Sequence, residues 1–259
     1  MHYEIGRIKI GVNCQLIGVW QKFQEVLEYQ PDFEIEILRD EPKIYGFYES
    51  PFWKGKVLRI GGDIMLVDEQ WKKNIILPLI DQDYIKDFLA LAFYTHAVQR
   101  HMIQVHSSLI DYQGRGIMFL GPSGIGKTTQ AERWNEYRGA VIINGDMVFV
   151  QETEDQFLGW GTPWHGSSPY CENASVPLEA LVILKQSREN RIRRLEGFEM
   201  VAEVSNSVFY PTWLENGMDL CLETLDHLLT HVPVYLLENR ADEEAVTLLE
   251  QTLDQNKKE

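Results

Sequence analysis

The sequence predicts an α/β domain, a mixed sheet with flanking helices, preceded by a small β-rich domain, and three observations carry this. Short runs of β-branched and aromatic residues, divided by turn signals, fill about the first 80 residues. From Tyr84 onward, strand-like runs alternate with segments whose apolar residues recur at helical spacing. The apolar run Ile117-Met118-Phe119-Leu120 leads straight into a glycine-rich loop and then into a helix-forming segment. The boundary falls between one domain over 1–82 and a second over 83–259.

In the first domain the strand candidates are Ile8 to Val12, Phe33 to Leu38, Ile44 to Tyr48, Val57 to Ile60 and Ile64 to Val67, read as a mostly antiparallel sheet. Gly61-Gly62 and Glu49-Ser50-Pro51 suit hairpin connections, and Val19 to Leu27 is the one helix candidate. From Tyr84 to about His101, Ile85, Phe88, Leu89, Ala92 and His96 recur at helical spacing with no Gly or Pro inside. Ile103 to Ile110 and Ile117 to Leu120 follow as strands joined by the turn Tyr112-Gln113-Gly114-Arg115-Gly116. Leu181 to Leu184 suits a buried strand. Thr212-Trp213-Leu214-Glu215 has the pattern of a capping box, opening a helix whose stripe Met218, Cys221, Leu222, Leu225, Leu228 and Leu229 is read as core. The strand Val234 to Leu237 and a helix carrying Ala245, Val246, Leu249 and Leu253 close the chain.

Composition narrows the function. The 259 residues hold 24 Lys plus Arg against 39 Asp plus Glu, a formal net charge of -15. A surface of that sign repels a polyphosphate backbone, so nucleic acid is not an expected partner. No apolar run approaches the roughly 18 to 20 residues that span a bilayer, and the N-terminal residues lack the basic-then-apolar order of a signal peptide. Cys14, Cys171 and Cys221 form no close pair and leave one over in any disulfide scheme, which fits a reducing cytoplasm.

Gly121-Pro122-Ser123-Gly124-Ile125-Gly126-Lys127-Thr128 fits G-x-x-x-x-G-K-[ST], between a strand and a helix. Its glycines let the backbone curl around a phosphate, and the helix N-terminus that begins here, with Thr129 in its first turn, presents amide groups and the positive end of the dipole. Lys127 is then expected to reach the β- and γ-phosphates of a nucleotide, and the Thr128 hydroxyl to be a ligand of Mg²⁺. An acidic residue follows early: Val141-Ile142-Ile143-Asn144-Gly145-Asp146 ends an apolar strand 19 residues after Lys127.

Several segments together resemble a known family. Val105-His106-Ser107-Ser108-Leu109-Ile110-Asp111, Gly114-Arg115-Gly116, the loop Gly121 to Thr128, and Gly139-Ala140-Val141-Ile142-Ile143-Asn144-Gly145-Asp146 look like the kinase domain of HPr kinase/phosphorylase, whose fold is shared with phosphoenolpyruvate carboxykinases. Gly161-Thr162-Pro163-Trp164-His165-Gly166, Pro177 to Leu184 and Asn190-Arg191-Ile192 resemble the HPr-kinase-related proteins found beside peptide-modification systems. The resemblance covers about residues 84 to 259. It implies an ATP- and Mg²⁺-dependent kinase acting on a Ser or Thr hydroxyl of a peptide or protein, and it leaves open a homo-oligomer. The family places two adjacent aspartates after the second strand, one as catalytic base and one helping to hold the metal. Here Asp146 matches the second, and Gly145 stands at the first. That substitution keeps a second reading open, a nucleotide-binding regulatory or peptide-maturation module without transfer activity.

Other residues carry two readings each. His106 matches a family position close to the transferred phosphate, or it is packed between strands. Thr162, Trp164, His165, Ser167 and Ser168 line an acceptor side of the cleft, or form a polar loop around a buried Trp. Arg188, Arg191, Arg193 and Arg194 reverse the local sign of charge. Arg191 and Arg193 reach phosphate or ribose if the segment is a strand, and form a solvated edge if it is a hairpin tip.

Overall fold

A computed structural model describes residues 1–26, 30–38, 55–78 and 84–256. The described chain divides into two compact units, Met1–Ala97 and Val98–Glu259. The boundary expected at 82/83, the strand candidate Ile44 to Tyr48 and the connection Glu49-Ser50-Pro51 lie outside the described residues.

The first unit holds strands β1 (His2–Ile5), β2 (Ile8–Val12), β3 (Gln24–Glu25), β4 (Phe33–Ile37), β5 (Gly55–Ile60), β6 (Asp63–Asp68) and β7 (Lys73–Leu77), in the order β3-β1-β2-β4-β7-β6-β5. Alternation puts Phe33, Ile35 and Ile37 of β4 on the buried face and Glu34 and Glu36 outside. The sheet is mostly antiparallel, as expected, with two exceptions, since β4 pairs in parallel with both β2 and β7. A parallel pair needs a connection long enough to return the chain to the same end, and the stretch between β2 and β4 supplies one. That stretch contains a 3-10 helix, Gly18–Phe23, where the sequence suggested a longer helix over Val19 to Leu27; Leu27 itself lies outside the described residues. Only Trp20 and Phe23 are buried there, three residues apart, and that spacing fills one face of a 3-10 turn.

Helix α1 (Ile85–Val98) ends this unit apart from its last residue. It belongs with the first sheet because the His96 ring stacks on Phe33, with centroids 4.4 Å apart, and His96 Nε2 donates to the Trp71 carbonyl at 2.9 Å.

The second unit is built around two long strands. β8 (Met102–Tyr112) turns through Gln113 and Gly114, both in the left-handed region, into β9 (Arg115–Leu120). Two consecutive positive φ angles make the two-residue turn that matches strand twist. Helix α2 (Lys127–Arg138) follows and ends on Gly139, left-handed at φ 67°, whose amide donates to Asn135 O at 3.0 Å. Then come β10 (Val141–Asn144), β11 (Met147–Glu152), β12 (Phe157–Trp160), the long β13 (Ser175–Gln186), β14 (Arg191–Leu195), α3 (Gly197–Ser205), β15 (Val208–Phe209), α4 (Gly217–His231), β16 (Val234–Asn239) and α5 (Glu243–Asn256).

The pairings make one sheet in the order β10-β8-β9-β13-β16-β14, with β9, β13 and β16 mutually parallel in its middle. A second layer leaves it where β8 and β13 fork: the first half of β8 pairs with β11, β11 with β12, and β12 with the start of β13. Phe119, Trp134, Val182, Tyr235, Leu237 and Leu249 belong to one buried cluster joining the main sheet to α2 and α5. Each such side chain contributes about 1.5–3 kcal/mol of transfer free energy.

Two local expectations fail in this unit. Residues 212–215 form successive turns instead of a capping box, and α4 begins later, at Gly217, with no side-chain cap on Asn216. Gly217 lies so close to the preceding turn that a Cβ would sit 2.5 Å from Pro211 O, which fixes where the helix can start. Of the expected core stripe, Cys221, Leu225, Leu228 and Leu229 are buried, whereas Met218 and Leu222 are exposed. Among the described residues no helix is long and apolar enough to cross a membrane.

Candidate active site

The strand registers assemble the site. On one side β8 pairs Ser107 with Leu120, the last residue before the glycine-rich loop. Next to it, the register with β11 pairs His106 with Met147, one residue after Asp146. The fork in β8 therefore brings His106, the start of the loop and Asp146 to one point, although they come from three separate segments. The Ser107 amide donating to Asp146 O at 2.9 Å closes this junction.

The loop has the backbone its glycines predict. Gly121, Gly124 and Gly126 have φ of 136°, 78° and 111°, a region that side chains with a Cβ rarely adopt. Pro122, Ser123 and Gly124 are exposed at its crest, and the Ile125 amide donates to Pro122 O at 3.2 Å. Lys127 folds back into the curve: Nζ donates to Gly121 O at 3.0 Å and to Pro122 O at 3.3 Å. Its side chain is buried, and burial pulls the ammonium below the ordinary lysine value while attraction to Asp146 opposes this. Beneath it, the buried Ser108 hydroxyl donates to Lys127 O at 2.8 Å, pinning the first turn of α2 to β8.

Thr128 and Asp146 are neighbours through Gly145, because the Thr128 hydroxyl donates to Gly145 O at 3.1 Å. Asp146 Oδ1 accepts from His106 Nε2 at 3.1 Å. This hydrogen bond is the main reason the carboxyl titrates below the ordinary carboxylate range; burial opposes it, and the charges of His106, Lys127 and His165 reinforce it. On its other side Asp146 lies against Gly166, where a Cβ would meet Oδ2 at 2.4 Å, so glycine makes room for the carboxylate.

Fully buried Asn144 organises the turn that presents this acid. Its Oδ1 accepts the amides of Asp146 and Met147, each at 2.9 Å, and its Nδ2 donates to Thr162 O at 2.9 Å. Thr162 is also fully buried, and its hydroxyl donates to Met147 O at 2.7 Å. Thr162 therefore ties two loops together and cannot line an acceptor surface, which corrects the expectation for that residue. Trp164 is buried as well. His165 stays partly exposed, bonded through Nδ1 to Ser168 O, and it is close enough to act electrostatically on Asp146.

Ser168 has a particular place. A Cβ built on Gly145 would lie 1.8 Å from Ser168 Oγ and 2.5 Å from Ser168 Cβ. The serine fills the space where a side chain at position 145 would begin. Sequence placed Ser168 only as one of several loop residues, since nothing in the chain signals that it meets Gly145.

Arg191 lies away from this junction. It starts β14, the edge strand of the main sheet, and pairs with Glu189, while Arg193 pairs with Glu199. Of the two readings of the arginine segment, the solvated edge describes these two residues.

The site suits a nucleotide and Mg²⁺. The loop concavity holds an ammonium, the Thr128 hydroxyl bonds the carbonyl of the residue just before Asp146, and Mg²⁺ on a nucleotide needs only one or two protein oxygens. Among the described residues no group of three His, Cys, Asp or Glu could hold a metal ion unaided.

Comparison with known proteins agrees with the kinship expected from the motifs. Over 82 residues the chain is 29% identical to the HPr kinase/phosphorylase of Mycoplasmopsis pulmonis (strain UAB CTIP), covering 32% of this chain. The match spans only 24% of that relative's length. A solved structure of the HPr(Ser) kinase/phosphatase from Coxiella burnetii aligns with 60% of this chain and 90% of its own, at 12% identity and a TM-score of 0.36. The family model described as SynChlorMet cassette protein ScmC matches residues 84–242, which include the loop, His106, Asp146, His165 and the arginine segment. The chain belongs to that cassette-protein family and is similar, over 82 residues, to an HPr kinase/phosphorylase.

Proposed function

We propose that the protein is an ATP- and Mg²⁺-dependent kinase that phosphorylates a hydroxyl, on Ser or Thr, of a peptide or protein. The observation that carries this reading is the meeting of Lys127, Thr128, Asp146 and His106 at one strand fork beside a phosphate-binding loop. Bound there, the nucleotide supplies the phosphoryl group and Mg²⁺ neutralises its charge. The loop amides and Lys127 hold the phosphates in place. Thr128 and Asp146 would hold the metal, directly or through water, while Asp146 Oδ1 fixes the His106 ring.

With the family's first acid replaced by Gly145, proton handling passes to His106. It accepts the proton that the acceptor hydroxyl loses as that oxygen bonds to the γ-phosphorus and the nucleoside diphosphate departs. The carboxylate beside it orients the ring through the Nε2 hydrogen bond.

The test is transfer from labelled ATP with Mg²⁺ to a peptide panel, run beside Lys127→Ala, Asp146→Asn and His106→Gln. Transfer should vanish in the first. The Asp146 variant should lose the dependence of nucleotide affinity on Mg²⁺, and the His106 variant should keep nucleotide affinity but transfer slowly. Unchanged Mg²⁺ dependence in Asp146→Asn would remove Asp146 from the metal site.

Ser168 favours a second reading, a nucleotide-binding regulatory or peptide-maturation module, because it fills the place where the missing acid would begin. Tight ATP binding without transfer or hydrolysis across the panel would select it. Both readings suit a cytoplasmic setting, and the acidic chain favours an acceptor carrying basic residues. Assembly of several copies is testable by light scattering.

A further inference from the structure

The junction of Lys127, Asp146 and His106 accounts for one end of a bound nucleotide only. Across the loop, the opposite flank opens into a cleft of about 680 Å³. Its walls are Gly124, Gly126 and Thr129 on the loop side, and Gln186, Arg188 and Ala241 among those facing it. The loop that carries Arg188 is held firmly to the turn between β16 and α5. Ser187 N donates to Asn239 O at 3.0 Å, Arg240 N to Asn190 Oδ1 at 3.0 Å, and Asn190 Nδ2 to Asp242 Oδ1 at 2.9 Å. Gln186 Nε2 reaches Ile125 O at 3.3 Å and ties the near end of this wall to the phosphate loop itself.

Arg188 and Arg240 line the cleft, and they and the arginines of the following strand differ in what they are free to do. Arg240 is bonded to Asp242 and Glu244, Arg191 to Glu189, and Arg193 to Glu199. Arg188 is exposed, lines the cleft, and no ion pair engages it among the described residues. In a chain of net charge -15, an uncommitted guanidinium facing a cleft that adjoins a phosphate loop is out of keeping with the surrounding surface.

We infer that this cleft receives the nucleoside half of the nucleotide, and that Arg188 is the residue that binds it. This rests on the phosphate-loop reading above and extends it. Terminal phosphates beside Lys127, Thr128 and Asp146 leave the molecule's other end to run past Gly126 and Thr129, into the cleft. A planar guanidinium there can stack on a base or donate to ribose hydroxyls, contacts that a bare polyphosphate does not offer. The ligand class is therefore a nucleoside triphosphate in preference to inorganic polyphosphate. The discriminating residue is Arg188, not Arg191.

The test measures binding of MgATP and of Mg-tripolyphosphate to the full chain by calorimetry, in wild type, Arg188→Ala, Arg191→Ala and Lys127→Ala. Arg188→Ala should weaken MgATP about tenfold and leave tripolyphosphate within about twofold. Arg191→Ala should change neither, and Lys127→Ala should weaken both. Equal losses for the two ligands in Arg188→Ala, or no loss for either, overturn the inference. So does a wild-type protein that binds tripolyphosphate as tightly as ATP, although the phosphate-loop reading then stands. Wild type binding neither ligand overturns both.

Discussion

A single methyl group on Gly145 probes the most unusual contact in the site. The ideal Cβ lies 1.8 Å from Ser168 Oγ and 2.5 Å from Ser168 Cβ, where carbon atoms in contact normally keep more than 3 Å. The serine cannot swing aside by rotating its side chain, because its Cβ is itself in the way. Its backbone is held by Ser168 N donating to His165 O at 3.0 Å and by the His165 ring on Ser168 O. Relief therefore requires backbone movement, and overpacking of this kind costs about 1–3 kcal/mol. In a unit of this size that lowers the melting temperature by about 2–12 °C.

Gly145 is not in the left-handed region, so the backbone accepts alanine and the steric cost stands alone. With Ser168→Gly as background, the nearest remaining atom is Thr128 Cγ2 at 3.7 Å, an ordinary contact, and the penalty should disappear. Ser168→Gly alone loses the Oγ acceptor of Tyr170 N and should cost about 1 kcal/mol, which cancels in the cycle. Urea denaturation of wild type, both single variants and the double variant should give a coupling of about 1–3 kcal/mol. Additivity within about 0.5 kcal/mol would refute the idea that Ser168 occupies the place of a side chain at 145. The same cycle guides restoration of the acid: Gly145→Asp alone should fold poorly, and Gly145→Asp with Ser168→Gly is the variant in which a gain of transfer can be sought.

Further consequences follow from the neighbouring residues. Asn144→Ala should destabilise the second unit by about 2–4 kcal/mol in urea melts, because it strips the acceptor from two amides and the donor from a buried carbonyl. Since burial holds Lys127 below the ordinary lysine value, its charge is lost earlier on raising pH than that of an exposed lysine. Titrated calorimetrically, nucleotide affinity should start to fall short of the usual lysine range, and Lys127→Arg, which does not titrate there, should flatten that limb. The contribution of Lys127 to stability runs the other way, rising with pH between its folded and unfolded values. Asp146 has the opposite displacement. The stability it contributes is present above the ordinary carboxylate value and is lost only as pH falls through its lower folded value. Mild acid should therefore leave Mg²⁺-dependent nucleotide affinity intact.

Much of this protein is local, and local features are legible in sequence. The glycine-rich loop needs only glycines at set spacing, a strand before it and a helix after it, all within one short segment. The turn Gln113-Gly114 and the helices α1, α2 and α5 follow from periodicity and turn chemistry in the same way. Composition and charge argued against nucleic acid. What the sequence did not disclose depends on contacts between distant segments. The parallel partners of β4, the later start of α4 and the exposure of Met218 and Leu222 are settled by packing partners that no local pattern names. The same holds in the site. Thr162 looked like an acceptor contact until the fold buried it, Arg191 was drawn to an edge strand beside Glu189, and Ser168 was carried into the space above Gly145. By itself the sequence determined the glycine-rich loop and pointed to the family. Only the tertiary structure decided which residues face it, because a β-strand's register joins residues far apart in the chain, and register is a property of the whole sheet.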